Sequence, residues 1–327
     1  MSSWQTGNYQ NYAGRFGPEV RQNLRVLVLT GPTGVGKTEV AAILAKRFGI
    51  DIISADSRQV YRYLDIGTAK PSAALRKEIR FHLVDCVEPN QLYSAAEFAR
   101  DALKIMRELR TRGRGFIVVG GSGFYLRALF RPLFDVPKYD PNLRAQLSAT
   151  PLPELYKKLL EVDPERAKQI HPNDRQRVIR ALEVYELTGK KFSELTAEKQ
   201  KSAEFIPVYV VLNMERKRLY RLIEKRFDQM MAQGLLDEVR RLKAMGLNQN
   251  SYATNAYGYI DLFRYLDGDL SLEEAISQAK SKTKEYARRQ LTWFRGLTDA
   301  IWLELTTPPE TAEKLAPLLL DLLKNKH

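Results

Sequence analysis

Eight residues, Gly31-Pro32-Thr33-Gly34-Val35-Gly36-Lys37-Thr38, have the types and spacing needed to hold a phosphate or a diphosphate. They satisfy the pattern G-x-x-x-x-G-K-S/T at every fixed position. The glycines let successive backbone N–H groups turn toward one anion, and Lys37 adds a point charge. The run that follows, starting at Thr38, has helical character, so the positive end of its dipole faces the same anion. A P-loop alone leaves the reaction open, because kinases, ATPases and GTPases all use one. The conspicuous carboxylate is Asp56, in Ser54-Ala55-Asp56-Ser57-Arg58-Gln59-Val60-Tyr61. An aspartate at a strand end can take a proton from an incoming nucleophile while the P-loop holds the leaving phosphate. It suits a helix N-cap equally well, and its surroundings in the sequence do not separate the two roles.

These residues need a scaffold that brings loop ends together. Residues 26–30 form the short apolar run of a buried parallel strand, and 50–55, 81–85, 116–119, 206–212 and 301–305 read the same way. Helical segments separate them, with crossovers of the length that parallel sheets require. The expected class is α/β, with a P-loop NTPase-like parallel sheet core and a helical insertion domain. Ligands of open α/β sheets bind at the carboxyl ends of strands, which places Asp56 beside the P-loop. Residues 67–71 read as a loop closed by Pro71. Between 137 and 204 no strand pattern occurs, and the segment reads as a helical insertion. The core is then 24–136 together with 205–327, which carries the long C-terminal helices. Residues 1–23 are polar and rich in Gly, Asn and Gln, and read as a disordered extension without the apolar core of a signal peptide.

Composition narrows the partners. Cys86 is the only cysteine of 327 residues, which excludes a disulfide or a cysteine zinc site within the chain. His82, His171 and His327 are too scattered to suggest a metal cluster. No apolar run reaches membrane-spanning length, and a cytoplasmic protein with no membrane partner is expected. A formal net charge of +13 makes nucleic acid a candidate partner, because a phosphate-rich polymer is drawn to such a surface by counterion release.

The segments GPTGVGKT, SADSRQVYRYLDIGTAKP, HLVDCVEPNQLYSAAEF, VGGSGFYLRAL, HPNDRQRVIRALEVYELTGK and RRQLTWFR occur in this order. Together they closely resemble the tRNA dimethylallyltransferases, also called tRNA isopentenyltransferases, from about residue 26 to 302. The resemblance implies a prenyltransferase that moves the dimethylallyl group of dimethylallyl diphosphate to N6 of the adenine just 3′ of the anticodon, releasing diphosphate. It implies a diphosphate cradle of Gly31, Pro32, Thr33, Gly34, Val35, Gly36, Lys37 and Thr38, with Mg2+ on Thr38. It implies Asp56 as general base, Ser122 in the channel near the target base, and Arg226 on the diphosphate. Contacts to tRNA are implied at Asp56, Ser57, Arg58, Gln59, Ser122, Arg144, Gln176, Arg177, Val178, Ile179 and Arg180. Within RQRVIRALEVY, Arg177 and Arg180 share a helix face, while Val178 can pack inward. Arg288 and Arg289 flank aromatic residues in a mix that suits RNA loops. A base modified at N6 must leave its stack, so a channel between core and insertion is expected. A monomer is expected.

Two departures from the family pattern stand out. The loop at 255–261 carries Ile260 where the family usually has a basic or polar residue. The zinc-finger extension of eukaryotic relatives is absent. Three other readings remain open at this level: a free adenine-nucleotide isopentenyltransferase of the cytokinin type, a small-molecule P-loop kinase using Asp56 on a hydroxyl, and an RNA-binding P-loop protein without catalysis. The long insertion and the basic charge favour tRNA over the first.

Overall fold

A computed structural model describes residues 24–130, 140–197 and 204–324. The expected disordered extension lies outside the described residues. The chain divides into two compact units, one of residues 1–130 with 203–327 and one of residues 131–202. In the first unit the chain runs β1 (Leu24–Thr30), α1 (Lys37–Phe48), β2 (Asp51–Ser54), α2 (Ala73–Glu78), β3 (Phe81–His82), α3 (Ala95–Thr111), β4 (Phe116–Val119) and α4 (Gly123–Phe130). The second unit follows with α5 (Pro141–Ala149), α6 (Leu152–Val162), α7 (Pro164–Lys168), α8 (Arg175–Thr188) and α9 (Phe192–Ala197). The first unit resumes with β5 (Phe205–Asn213), α10 (Arg216–Ala232), α11 (Leu235–Ala244), α12 (Tyr259–Leu266), α13 (Leu272–Arg295), β6 (Ile301–Glu304) and α14 (Pro308–Lys324).

The six strands form one parallel sheet in the order β3-β2-β4-β1-β5-β6. Its strands are apolar on both faces because helices cover both. Val26 and Val28 of β1 join Phe98, Met106 and Phe263 on one side, while Leu27 and Leu29 join Val40, Leu44 and Leu315 on the other. That alternation follows the two-residue period of a strand. Burying a Leu- or Val-sized side chain contributes about 1.5–3 kcal/mol, so both layers stabilise the sheet that positions the loops. Helix α3 starts at a capping box, Ser94 with Glu97, which closes two otherwise open amides.

Several elements differ from the sequence expectation. The strand expected over 81–85 stops after His82, because Leu83 and Asp85 take φ values of 60° and 56°, which no strand accommodates. The Asp85 carboxylate binds Lys70 and Arg76 there. Although burial opposes it, those two cations hold Asp85 below the usual carboxylate range. Ile260, expected in a loop, is the second residue of α12.

The 65–71 loop is tied down from α11. The Glu238 side chain, only 2% exposed, accepts hydrogen bonds from the N–H groups of Asp65 (3.0 Å), Ile66 (2.8 Å) and Gly67 (3.2 Å), and from the Tyr259 hydroxyl (2.6 Å). Burial, and then the adjacent carboxylate, push that tyrosine well above its ordinary range. Glu238→Ala strands three amides and a phenol, and urea denaturation should show a loss of about 3 kcal/mol or more. A loss under about 1 kcal/mol would mean that water replaces the carboxylate readily.

The second unit packs its own core from Leu147, Leu155, Leu159, Val178, Ile179 and Leu182. Asp163 caps α7 through the Arg166 N–H and also accepts from the N–H and hydroxyl of Ser193, joining α7 to α9.

Candidate active site

Strand order explains why the candidate residues meet. Strands β2, β4 and β1 are neighbours, so the segments leaving their carboxyl ends are neighbours too. These are the Asp56 turn, the Gly120–Gly123 turn and the P-loop. They open onto a cavity of about 340 Å3 whose walls include Lys37, Thr38, Asp56, Gln59, Lys70 and Arg226. Crevices at the carboxyl ends of parallel strands are where such sheets bind ligands.

The P-loop depends on its glycines at two points. A Cβ on Gly31 would lie 2.4 Å from the Leu212 carbonyl oxygen of the neighbouring strand, and Gly36 enters α1 at φ 98°. Among the described residues no acceptor is found for the N–H groups of Gly34 and Gly36. The first-turn amides of Lys37 and Thr38 have none within the helix either. Together these donors form an anion cradle at a helix amino end. The Lys37 ammonium donates to the carbonyls of Gly31 (2.9 Å) and Pro32 (2.8 Å). Burial pulls Lys37 down to about 8. The Asp56 charge opposes this, Arg226 adds to it, and Glu39 opposes it.

Arg226, one of many cations on α10 by sequence, is the one that reaches the P-loop, where its Nη2 donates to the Thr33 hydroxyl at 2.8 Å. Burial lowers its pKa as well, against the charges of Glu39 and Asp56. Two cations therefore face the cradle from different helices, an arrangement that suits a multiply charged leaving group.

Asp56 caps a turn and not a helix, since no helix begins among the described residues between β2 and Ala73. Its Oδ1 accepts from the N–H of Arg58 (2.9 Å) and Gln59 (3.4 Å), which shapes the turn, while Oδ2 has no partner among the described residues. Gln59 turns its amide inward to the carbonyls of Thr68 (3.2 Å) and Ala69 (3.3 Å), coupling this turn to the 65–71 loop. Arg58 donates to the Tyr252 carbonyl. Ser122 is buried, and its hydroxyl oxygen accepts the Ser57 N–H at 3.0 Å. It therefore orders the Asp56 turn from the neighbouring strand end.

The structure supplies functional neighbours that the sequence reading passed over. The Tyr286 hydroxyl is pushed up to about 12, first by burial and then by the Asp56 charge, with Arg58 opposing. Gln290, within RRQLTWFR, joins the P-loop to the Gly121 turn. A polar residue at spacings of three and four from Ala287 and Phe294 lies on the buried stripe of α13, and that periodicity was the available signal. Arg288 and Arg289 are exposed on α13, and Arg289 stacks over the Tyr257 ring with its carbon 5.6 Å from the centroid.

In the second unit, two residues implied as RNA contacts lie on the inward face of α8. Val178 and Ile179 are buried in that unit's core, where their side chains hold α8 in place. Gln176 and Arg177 are exposed on the same helix. Arg144 and Arg180 both reach Oε2 of the fully buried Glu183, at 3.5 and 3.1 Å.

A family model described as IPP transferase matches residues 59–297. A tRNA dimethylallyltransferase 1 of Citrifermentans bemidjiense is 44% identical over 86% of this chain and 93% of its own. The chain belongs to the IPP transferase family. A tRNA dimethylallyltransferase of Thermotoga maritima is 40% identical over 91% of this chain and 99% of its own. Among solved structures, the tRNA isopentenylpyrophosphate transferase of Bacillus halodurans is 36% identical, with a TM-score of 0.69 over 92% of this chain and 97% of its own. A eukaryotic dimethylallyltransferase acting on tRNA is 28% identical, with a TM-score of 0.82 over 93% and 80%. Membership makes the chain a transferase with the P-loop-like core of this family, and it removes the kinase and non-catalytic readings.

Proposed function

We propose that this chain transfers the dimethylallyl group of dimethylallyl diphosphate to N6 of the adenine immediately 3′ of the anticodon in tRNA. The observation that carries the reading is one cavity lined both by an anion cradle with two cations, Lys37 and Arg226, and by the carboxylate of Asp56. A diphosphate in the cradle leaves as the allylic C1–O bond breaks, with its charge met by the P-loop amides, Lys37 and Arg226. The adenine N6 lone pair forms the new C1–N bond, and Oδ2 of Asp56 accepts the N6 proton. Ser122 keeps that carboxylate's turn in register. No ATP is hydrolysed.

The donor set also fits Mg2+. Among the described residues no three His, Cys, Asp or Glu side chains cluster to cage a metal, but Thr38 offers a hydroxyl oxygen beside the cradle. Mg2+ characteristically takes one or two protein oxygens and completes its shell with phosphates and water. When bound there it would neutralise charge on the departing diphosphate.

Gln176, Arg177, Arg144 and Arg180 of the second unit, with Arg58, Arg288 and Arg289, are proposed to meet the anticodon arm. No helix among the described residues is long and apolar enough to cross a membrane. The protein is proposed to act as a cytoplasmic monomer. Arg177→Ala should flatten the dependence of log affinity for tRNA on log salt by roughly 0.7–0.9. An unchanged slope would make Arg177 a solvated surface residue. The reading as a whole is tested with two tRNA transcripts differing only in the base 3′ of the anticodon. Labelled dimethylallyl diphosphate should mark the adenine transcript alone, and equal labelling of a guanine transcript would overturn the assigned target.

A further inference from the structure

Three loops form the site, and each leaves a different strand. Their relative placement decides whether an amine, a leaving group and a base meet. One side chain outside those loops is bonded to two of them. The Gln290 side chain, 6% exposed on α13, accepts the Thr33 N–H through Oε1 at 2.8 Å and donates through Nε2 to the Gly121 carbonyl at 2.8 Å. Its orientation is not a free choice. A backbone N–H can only donate and a carbonyl can only accept, so the two neighbours dictate which end of the amide faces which. Glycine at 121 belongs to the same fit, since a Cβ there would sit 2.4 Å from Nε2.

Each partner leads directly to a site residue. Thr33 presents the hydroxyl that receives Arg226. Gly121 precedes Ser122, whose hydroxyl holds the Ser57 N–H beside Asp56. The same bond also withdraws the Thr33 amide from the P-loop donors, leaving the cradle to the amides that follow it. We propose that Gln290 is the positioning residue of this site, a two-ended bracket that sets the P-loop and its arginine at a fixed distance from the Ser122–Asp56 side. It touches no reacting atom and acts through Thr33 and Gly121. The inference rests on the prenyl-transfer reading above for its kinetic readout only.

The bracket needs an acceptor at one end and a donor at the other, which a carboxylate cannot supply. In Gln290→Glu the ionised side chain still accepts from Thr33 but faces the Gly121 carbonyl with a second acceptor. Protonation restores a donor, so the defect is pH-dependent in a way that lost packing is not. On tRNA and dimethylallyl diphosphate, kcat relative to the parent should fall by roughly 10- to 100-fold at pH 8.5 and recover to within about 3-fold near pH 6, with KM for the diphosphate moving less than about 3-fold. In Gln290→Leu, which keeps bulk and loses both bonds, hydrogen exchange at the Thr33 amide should accelerate by about 10-fold or more while β1 and β5 stay protected. A folded Gln290→Glu with kcat within about 2-fold of the parent at every pH overturns the bracket, and so does unchanged Thr33 exchange in Gln290→Leu. A parent that prenylates no tRNA while Thr33 exchange accelerates in Gln290→Leu would sink the proposed activity and uphold the bracket. If one variant fails to fold, the other decides.

Discussion

Asp56→Ala should lower turnover by at least about 100-fold, the usual scale for losing a general base. Affinity for dimethylallyl diphosphate should stay within about 3-fold, because the cradle and both cations remain. An adenine amine is a poor nucleophile, with its lone pair delocalised into the ring, so removing the proton acceptor strikes the bond-forming step. The alanine variant also loses the acceptor for the Arg58 and Gln59 amides, and a disordered turn could mimic a lost base. Asp56→Asn separates the two. Its amide oxygen still accepts both N–H groups but cannot take up a proton. A matching loss in Asp56→Asn assigns the effect to proton acceptance. Near-normal turnover in Asp56→Asn would leave Asp56 a turn-forming residue and nothing more.

The second large effect belongs to Lys37. Lys37→Ala should lower kcat/KM for dimethylallyl diphosphate by about 100-fold or more, comparable to deleting one preorganised donor to a developing anion, a loss of about 2.7–4 kcal/mol. The pH dependence provides an internal check. Burial holds Lys37 at about 8 in the ligand-free protein, so the ammonium is intact below that pH and is lost as the pH rises through it. A bound diphosphate favours the charged form. Affinity of the parent relative to Lys37→Ala should therefore decline as pH rises above 8, and binding near pH 8 should be accompanied by proton uptake. The same shift means that the folded state holds fewer protons than the unfolded one between about 8 and 10.4, so the Lys37 contribution makes the fold more stable as pH rises across that window. A parent-to-variant affinity ratio that is flat from pH 7 to 9.5 would place the diphosphate away from Lys37.

Much of the fold was legible because its signals are local. Parallel strands buried on both faces appear as continuous apolar runs, and residues 26–30 and 206–212 were read on that basis. The P-loop is a contiguous motif whose backbone chemistry follows from its glycines. The shortened β3 was not legible, because Leu83 and Asp85 take positive φ and Asp85 pairs with Lys70 and Arg76, residues outside the run itself. Gln290 and Glu238 escaped for the same reason. Each binds backbone amides well over a hundred residues away, and no local pattern records such a pairing. Val178 and Ile179 show the converse. A contiguous motif names every residue within it, whereas a helix presents only one face to a ligand and buries the other. Arg226 was singled out by resemblance alone, since six cations crowd the start and middle of α10 and only packing selects the one that meets Thr33.

The acceptor is identified by offering the purified protein labelled dimethylallyl diphosphate with unmodified tRNA carrying adenine 3′ of the anticodon, and separately with AMP. Label is expected in tRNA, with diphosphate released in equal amount, and none on AMP. Label on AMP alone, or on neither acceptor, would contradict the proposed transfer to tRNA.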